Sequence, residues 1–411
     1  MPATTDARSA PNPLLVTSEG QTWLVGDEIY LRPPAPADAE TVQSWTFTRF
    51  PISPDRIRAR IDSGERGDDS GKDRHQLLIV RRADERPVGS LIVNTKWFPH
   101  FFIDVTTDSL FGPDIDRWKG EALAMAMRLV VDEWHVPIVT VSLREDEREA
   151  ITRLEAIGAR QCLRLPEVYA RDGMRVDSVT YELMHPGWVA RLGDPAEVEL
   201  PRSGTGQPRP VTPPVLPDGD PPANAVRIGP RVYLRPIQES DARVVTYWSL
   251  RELDTSWSNG RFTFSPEAFW NEVKEIQSAD KPGRVDFAVC LRDSDTLIGF
   301  VGVEDVDYQH RFADSASMMI NPAYREAGYG SEAKHLLFDY VFNTLDMHVL
   351  GSWVMFANTR SAAALRKQGY TEAGRVHWIT HRDGAFANMV IFYLRAKDWR
   401  AMPRRLEGSA E

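Results

Sequence analysis

An α/β protein built from two tandem copies of one domain is what this chain predicts, and three observations carry that reading. A block near the start recurs 203 positions later, a proline-rich stretch separates the two copies, and strand-like and helix-like segments interleave in the second copy.

The repeat is specific. Gly26, Tyr30-Leu31-Arg32-Pro33, Asp38-Ala39, Val42 and Trp45 recur as Gly229, Tyr233-Leu234-Arg235-Pro236, Asp241-Ala242, Val245 and Trp248. A strand, a Pro stop, an Asp N-cap and an amphipathic helix fit both copies. Later echoes pair Val88-Gly89 with Ile298-Gly299, Arg171-Asp172-Gly173 with Arg382-Asp383-Gly384, and Trp188 with Trp399. The offset drifts from 203 to 211, so the second copy holds about eight extra residues. The period is too long for a solenoid and implies duplication of a whole domain. The expected layout is a flexible leader over 1–20, a first domain over 21–193, a Pro-rich linker over 194–224, a second domain over 225–403 and a flexible tail over 404–411.

The second copy reads in order as a strand (231–235), helices (about 240–277), strands (285–292, 297–305 and 314–320), a helix (about 328–345), a strand (350–356), a short helix (360–368) and two strands (about 372–382 and 385–395). The segment after the 314–320 strand carries the most chemistry. Arg325, Gly328 and Gly330 form an Arg-x-x-Gly-x-Gly loop leading into a helix. Glycines let backbone approach a ligand closely, and the free N–H groups and dipole of a helix N-terminus attract phosphate. A pyrophosphate-bearing ligand is therefore expected. The loop is not a P-loop, because Ser331-Glu332 follows where Gly-Lys-Ser/Thr is needed, and Ala333 breaks the dinucleotide Gly-x-Gly-x-x-Gly pattern.

Downstream, the strand ends at Ala357-Asn358, and Asn358-Thr359-Arg360-Ser361 starts a short helix closed by Gly369. With these residues in order, residues 227–400 resemble the GNAT acyltransferase superfamily, in particular its RimJ/RimL-like branch. The resemblance implies two tandem GNAT folds, each a mixed, mainly antiparallel central sheet flanked by helices. It implies acetyl-CoA or another acyl-CoA as donor, bound by Arg325, Glu326, Ala327, Gly328, Tyr329, Gly330 and Ser331. The donor's pantetheine would run along the splayed strand edge at Met318, Met319 and Ile320, with Asn358 beside it. It also implies Ser361 as the acid that protonates the leaving thiolate; Tyr370 reads as core.

Acyl transfer to an amine needs a neutral amine, donors for the developing oxyanion and a proton for the thiolate. Backbone N–H groups near Met318 to Ile320 could serve the oxyanion. For the base, or for a cationic-acceptor pocket, Glu304, Asp305, Asp307 and Asp314 stand open. Strand alternation puts Glu304 with Val306 and Asp305 with Asp307. Ser315 or Ser317 stands where many family members carry a Glu. In the family, acceptor specificity lies in the helices after the first strand and in the final hairpin, which here carry Trp248, Asp254, Trp257, Arg261, Phe262, Trp270 and His377. His377 and His381 lack the helix and Glu of a zinc site, and no metal is expected.

Aligning the glycine loops sets Arg117-Trp118-Lys119-Gly120-Glu121-Ala122 opposite Arg325 to Gly330. Glu147 then takes the place of Asn358 and Ala150 that of Ser361, so the first domain is expected to be non-catalytic. Net charge is -10, which argues against broad nucleic-acid binding and suits a cationic amine of a small molecule or peptide. Aminoacyl transfer from tRNA, as in Fem-type ligases with two GNAT-like domains, is the rival reading. A non-catalytic acyl-CoA-binding scaffold is a third. Cys162 and Cys290 read as free thiols, and no apolar run reaches the length of a membrane span, so a cytoplasmic location and no membrane partner are expected; a homodimer is open.

Overall fold

A computed structural model of the chain describes residues 21, 23–40, 52–62, 73–108, 111–198, 207–216, 218–251, 265–382 and 384–405. The first repeat runs β1 (Ile29–Arg32), α1 (Pro54–Asp62), β2 (Arg74–Arg81), β3 (Arg86–Asn94), β4 (His100–Thr107), α2 (Asp114–Arg128), β5 (Ile138–Arg144), α3 (Arg148–Ala156), β6 (Arg160–Arg171), β7 (Met174–Met184) and α4 (Pro186–Leu192). The second runs β8 (Arg227–Ile228), β9 (Val232–Pro236), α5 (Asp241–Arg251), α6 (Pro266–Gln277), β10 (Val285–Leu291), β11 (Leu297–Asp307), β12 (Phe312–Ile320), α7 (Tyr329–Asp339), β13 (Val349–Met355), α8 (Thr359–Lys367), β14 (Thr371–Arg382), β15 (Ala385–Arg395) and α9 (Ala396–Ala401). Two compact units emerge. One takes the described residues up to Cys162 with 179–197 and 377–387; the other takes 163–178 and the rest.

Both repeats form a mixed, mainly antiparallel sheet flanked by helices. Strand order is β1-β2-β3-β4-β5-β7-β6 in the first and β8-β9-β10-β11-β12-β13-β15-β14 in the second. Each has a parallel step, β4 with β5 and β12 with β13. In the second repeat the pairing lasts only from Phe312–Val349 to Asp314–Gly351. Beyond Asp314, β12 stays with β11 while β13 stays with β15, so the two strands part. This is the splay that the family resemblance implied.

The repeated Tyr-Leu-Arg-Pro block has a structural basis. Arg32 and Asp38 form a buried two-pronged ion pair at 2.7 and 2.8 Å, and Arg235 and Asp241 repeat it at 2.8 and 3.0 Å. Each aspartate also accepts from a backbone N–H three residues earlier, Ala35 or Gln238. The aspartates are therefore partners of the strand arginines and not the N-caps expected from sequence. Corresponding strands from β2 and β10 onward are offset by about 211, so the eight extra residues fall between Asp241 and Val285, among the helices that follow β9.

The second sheet separates two apolar layers. One face, with Phe287, Val289, Val301, Val303, Ala313 and Leu350, packs on α7. The other, with Tyr233, Ala288, Cys290 and Phe300, packs on Val245 of α5 and Val273 of α6. Within the Pro-rich stretch, Val211 is buried in the second unit, its N–H donates to the Pro403 carbonyl, and it bridges Arg404. No helix among the described residues is long and apolar enough to cross a membrane. Cys162 and Cys290 are free thiols, half-buried and buried.

Candidate active site

The glycine loop is built where the sequence places it. After β12, Pro322–Tyr324 make one 3-10 turn, and α7 opens with Gly328 as its first flanking residue at φ 83°. Glu326 also has positive φ, at 67°. No side chain caps the helix, and its first hydrogen bond is Glu332 N–H to the Gly328 carbonyl. The N–H groups of Tyr329, Gly330 and Ser331 thus have no intrahelical acceptor, the arrangement that receives a phosphate. Glu326 and Ala327 are exposed, and Arg325, Gly328, Tyr329, Gly330 and Ser331 are half-buried.

Glu332, the one acid of the first turn, is turned away from this task. It is buried and accepts from the backbone N–H of Arg231 (2.7 Å) and Val232 (3.0 Å) and from Arg231 Nε (2.9 Å). The repeated Gly229 leaves room for it, since a Cβ there would stand 2.7 Å from Glu332 Oε1.

Met318, Met319 and Ile320 lie on β12 beyond the parting of the strands, with Met319 and Ile320 still paired to β11. A bulge sets Ser317 and Met318 against Val301 alone. Asn358 flanks α8, and its side chain accepts from the Ser361 N–H at 3.1 Å. Asn358 and Ser361 therefore form the helix cap, and Ser361 is half-buried. Tyr370 is core, with its ring 5.7 Å from that of Phe338.

Three carboxylates share the α5–α6 face of the sheet. Asp286 lies opposite Gly302, and Glu304 opposite Asp314. A Cβ on Gly302 would overlap Asp286 Oδ1, and a Cβ on Gly351 would overlap Asp314 Oδ1, so both glycines seat a neighbour's carboxylate. Burial pushes Asp314 up to about 7, with Asp305 and Glu304 adding to the rise. Burial also raises Asp286 to about 6, against the lowering effect of Arg284, and raises Glu304. The alternation expected over 304–307 fails: Asp305 sits at φ 52° in a second bulge, exposed, because β11 spends two residues there against one on β12. Asp314 and Asp286 are the functional candidates that sequence reasoning ranked low or missed. Their signal was an acid one strand over from a glycine.

Trp248 and Trp270 lie half-buried against the α5–α6 layer. Asp254, Trp257, Arg261 and Phe262 lie outside the described residues. His377 belongs to the first unit, where its Nδ1 stands 2.8 Å from the Glu182 carboxylate. Among the described residues no group of three or more His, Cys, Asp or Glu side chains could hold a metal ion.

The family model of the acetyltransferase (GNAT) domain matches residues 231–371, the segment that carries the loop, the splay and the α8 cap. The C-terminal half contains a GNAT acetyltransferase domain. The chain is 30% identical over 114 residues to the uncharacterized N-acetyltransferase YnaD of Bacillus subtilis (strain 168), covering 27% of this chain and 66% of that one. It is 23% identical over 171 residues to the uncharacterized N-acetyltransferase p20 of Bacillus licheniformis, covering 41% of this chain and 95% of that one. A spermidine N-acetyltransferase from Vibrio cholerae, solved with CoA and spermine, aligns at 18% identity and a TM-score of 0.38, over 41% of this chain and 98% of that one.

The first repeat is a second GNAT-like domain, and it corrects the loop alignment. Glu121 accepts from the backbone N–H of Asp27 and Glu28, as Glu332 does from Arg231 and Val232. Their offset is 211, the offset of β5 from β13 and of α3 from α8. Arg117, Trp118 and Lys119 therefore stand at the places of Gly328, Tyr329 and Gly330, inside α2 and not in the loop before it. The alignment drawn from sequence was three residues out of register. Lys119 and Glu147, the latter at the place of Asn358, are buried together with Nζ 2.8 Å from Oε1.

Proposed function

We propose that the GNAT domain transfers an acyl group, acetyl in the first instance, from an acyl-CoA to an amine of a small molecule or peptide. The observation that carries this reading is the uncapped, glycine-led N-terminus of α7 beside strands that part after Asp314. The residues fit the donor. The N–H groups of Tyr329, Gly330 and Ser331 would hold its diphosphate, and the unpaired edge of β12 from Met318 to Ile320 its pantetheine amides. When bound, the donor supplies an activated thioester carbonyl.

The chain's own residues divide the remaining tasks. Asp314 and Glu304 face the α5–α6 side and would attract an ammonium ion; Asp314, held near neutrality, would take its proton. The C–N bond then forms as the C–S bond breaks, and the Ser361 hydroxyl would give its proton to the thiolate while the proton leaving the acylated nitrogen restores the hydroxyl. Asp305, exposed in its bulge, suits recruitment of a cation better than proton transfer. The first repeat, with Lys119 in place of a cradle glycine, would bind no donor.

The test is a panel of amines, polyamines among them, mixed with acetyl-CoA and the full-length protein, following free thiol. Amine-dependent thiol release supports the reading. Failure of acetyl-CoA to bind in calorimetry removes it.

A further inference from the structure

The C-terminal cradle has a partner from outside the glycine loop. Arg231 immediately precedes β9, and its guanidinium makes three contacts with the loop and the first turn of α7. Nε donates to Glu332 at 2.9 Å, Nη1 donates to the Ala327 carbonyl at 2.9 Å, and the ion lies 4.7 Å above the Tyr329 ring. Nη2 stands 3.1 Å from where a Cβ on Gly328 would be, and has no protein partner among the described residues. A fixed positive charge thus sits over the residue that opens α7, where the free N–H groups begin. Glycine at 328 is what permits so close an approach, besides allowing φ 83°.

The first repeat supplies an internal control. Glu28 holds the place of Arg231 at the 203 offset, and its carboxylate accepts from Arg117 Nη2 and Trp118 Nε1, both at 2.8 Å. Arg117 and Trp118 stand at the places of Gly328 and Tyr329. The cation comes from within α2 in the first repeat and from the residue before β9 in the second. In the second repeat the cationic Nη2 of Arg231 stands beside Gly328 with no side chain bonded to it among the described residues.

We propose that Arg231 is a binding residue for the donor's diphosphate: Nε and Nη1 fix the loop, and Nη2 faces the phosphate oxygens. This rests on the reading above that α7 receives that diphosphate. An arginine with two of its nitrogens already tied is pre-oriented, so little freedom is lost when the anion binds.

The test compares two donors on the full-length protein, acetyl-CoA and S-acetylpantetheine, which lacks the diphosphate. R231A should weaken acetyl-CoA binding by about 10- to 100-fold, the range for a hydrogen bond to a charged group. KM for S-acetylpantetheine should stay within about 2-fold, since that donor never meets the residue. R231Q, whose amide nitrogen stands where Nε does and can still donate to Glu332, should lose acetyl-CoA affinity as well and serves if R231A misfolds. Equal losses for both donors, or unchanged acetyl-CoA affinity, would overturn the proposal while the acyltransferase reading stands. Wild-type protein that binds no acetyl-CoA would overturn both.

Discussion

Asp314 concentrates the residue-scale chemistry. Its carboxyl is burdened by burial and by two neighbouring acids, Asp305 and Glu304. Lys334, which offsets Glu304, is itself pushed down to about 8 by burial. As a base, Asp314 must be ionised, so acceptor kcat/KM should rise with pH through about 7 and level off above it. Stability should move the other way. The folded state keeps the Asp314 proton to about pH 7 and the unfolded chain releases it near 4, so folding stability falls as pH rises across that window. D314N should then unfold at a higher temperature than wild type at pH 8 while losing most acyl transfer. A D314N protein that melts lower at pH 8, or keeps wild-type kcat, would refute the assignment. Gly328 is the second lever. At φ 83° an alanine there costs about 1–2 kcal/mol and pushes on Arg231, so G328A should weaken acetyl-CoA at least about tenfold.

At the scale of elements, two junctions position the site. The β12–β13 junction depends on Gly351, which seats the Asp314 carboxylate. G351A must displace that group, so it should cost activity comparable to D314N without the rise in stability at pH 8. Melting curves beside turnover separate the two. The α8 junction depends on the Asn358 cap. N358A removes the acceptor for the Ser361 N–H and should cost about 1 kcal/mol of stability. S361A keeps the cap, so a fall in kcat with an unchanged melting temperature would mark Ser361 as the acid. Unchanged kcat would leave it as a turn residue.

At the scale of the molecule, duplication has left one cradle open and one filled. Calorimetry on the full chain should give about one acetyl-CoA per polypeptide; two would overturn the assignment of Lys119 and Glu147 as a closed pair. Breaking that buried pair by K119M leaves Glu147 with Arg144, 3.1 Å away, as its remaining cation, and should destabilise the protein by about 3 kcal/mol. K119M/E147Q should recover part of that loss, measured by denaturant unfolding.

Local chemistry made much of this protein readable in one dimension. Period-2 and helical patterns, glycines and prolines located the elements from β9 to β15 to within a few residues, though not the short β8 and α9, and the Arg-x-x-Gly-x-Gly loop marked the start of α7, where Gly328 takes φ 83°. The repeat itself announced the duplication. Register and company were decided only in three dimensions. The repeated aspartates looked like caps because a cap and a strand arginine's partner use the same residue at the same spacing. The first-copy loop was placed three residues off because Gly120-Glu121-Ala122 fits the Gly-x-Gly pattern locally, whereas the buried Glu121 and Glu332 bonds that set the true register join residues about a hundred positions apart. The acids of the α5–α6 face could not be ranked from sequence, since what raises Asp314 is burial beside two other carboxylates, and neither burial nor proximity across strands is written in the order of residues.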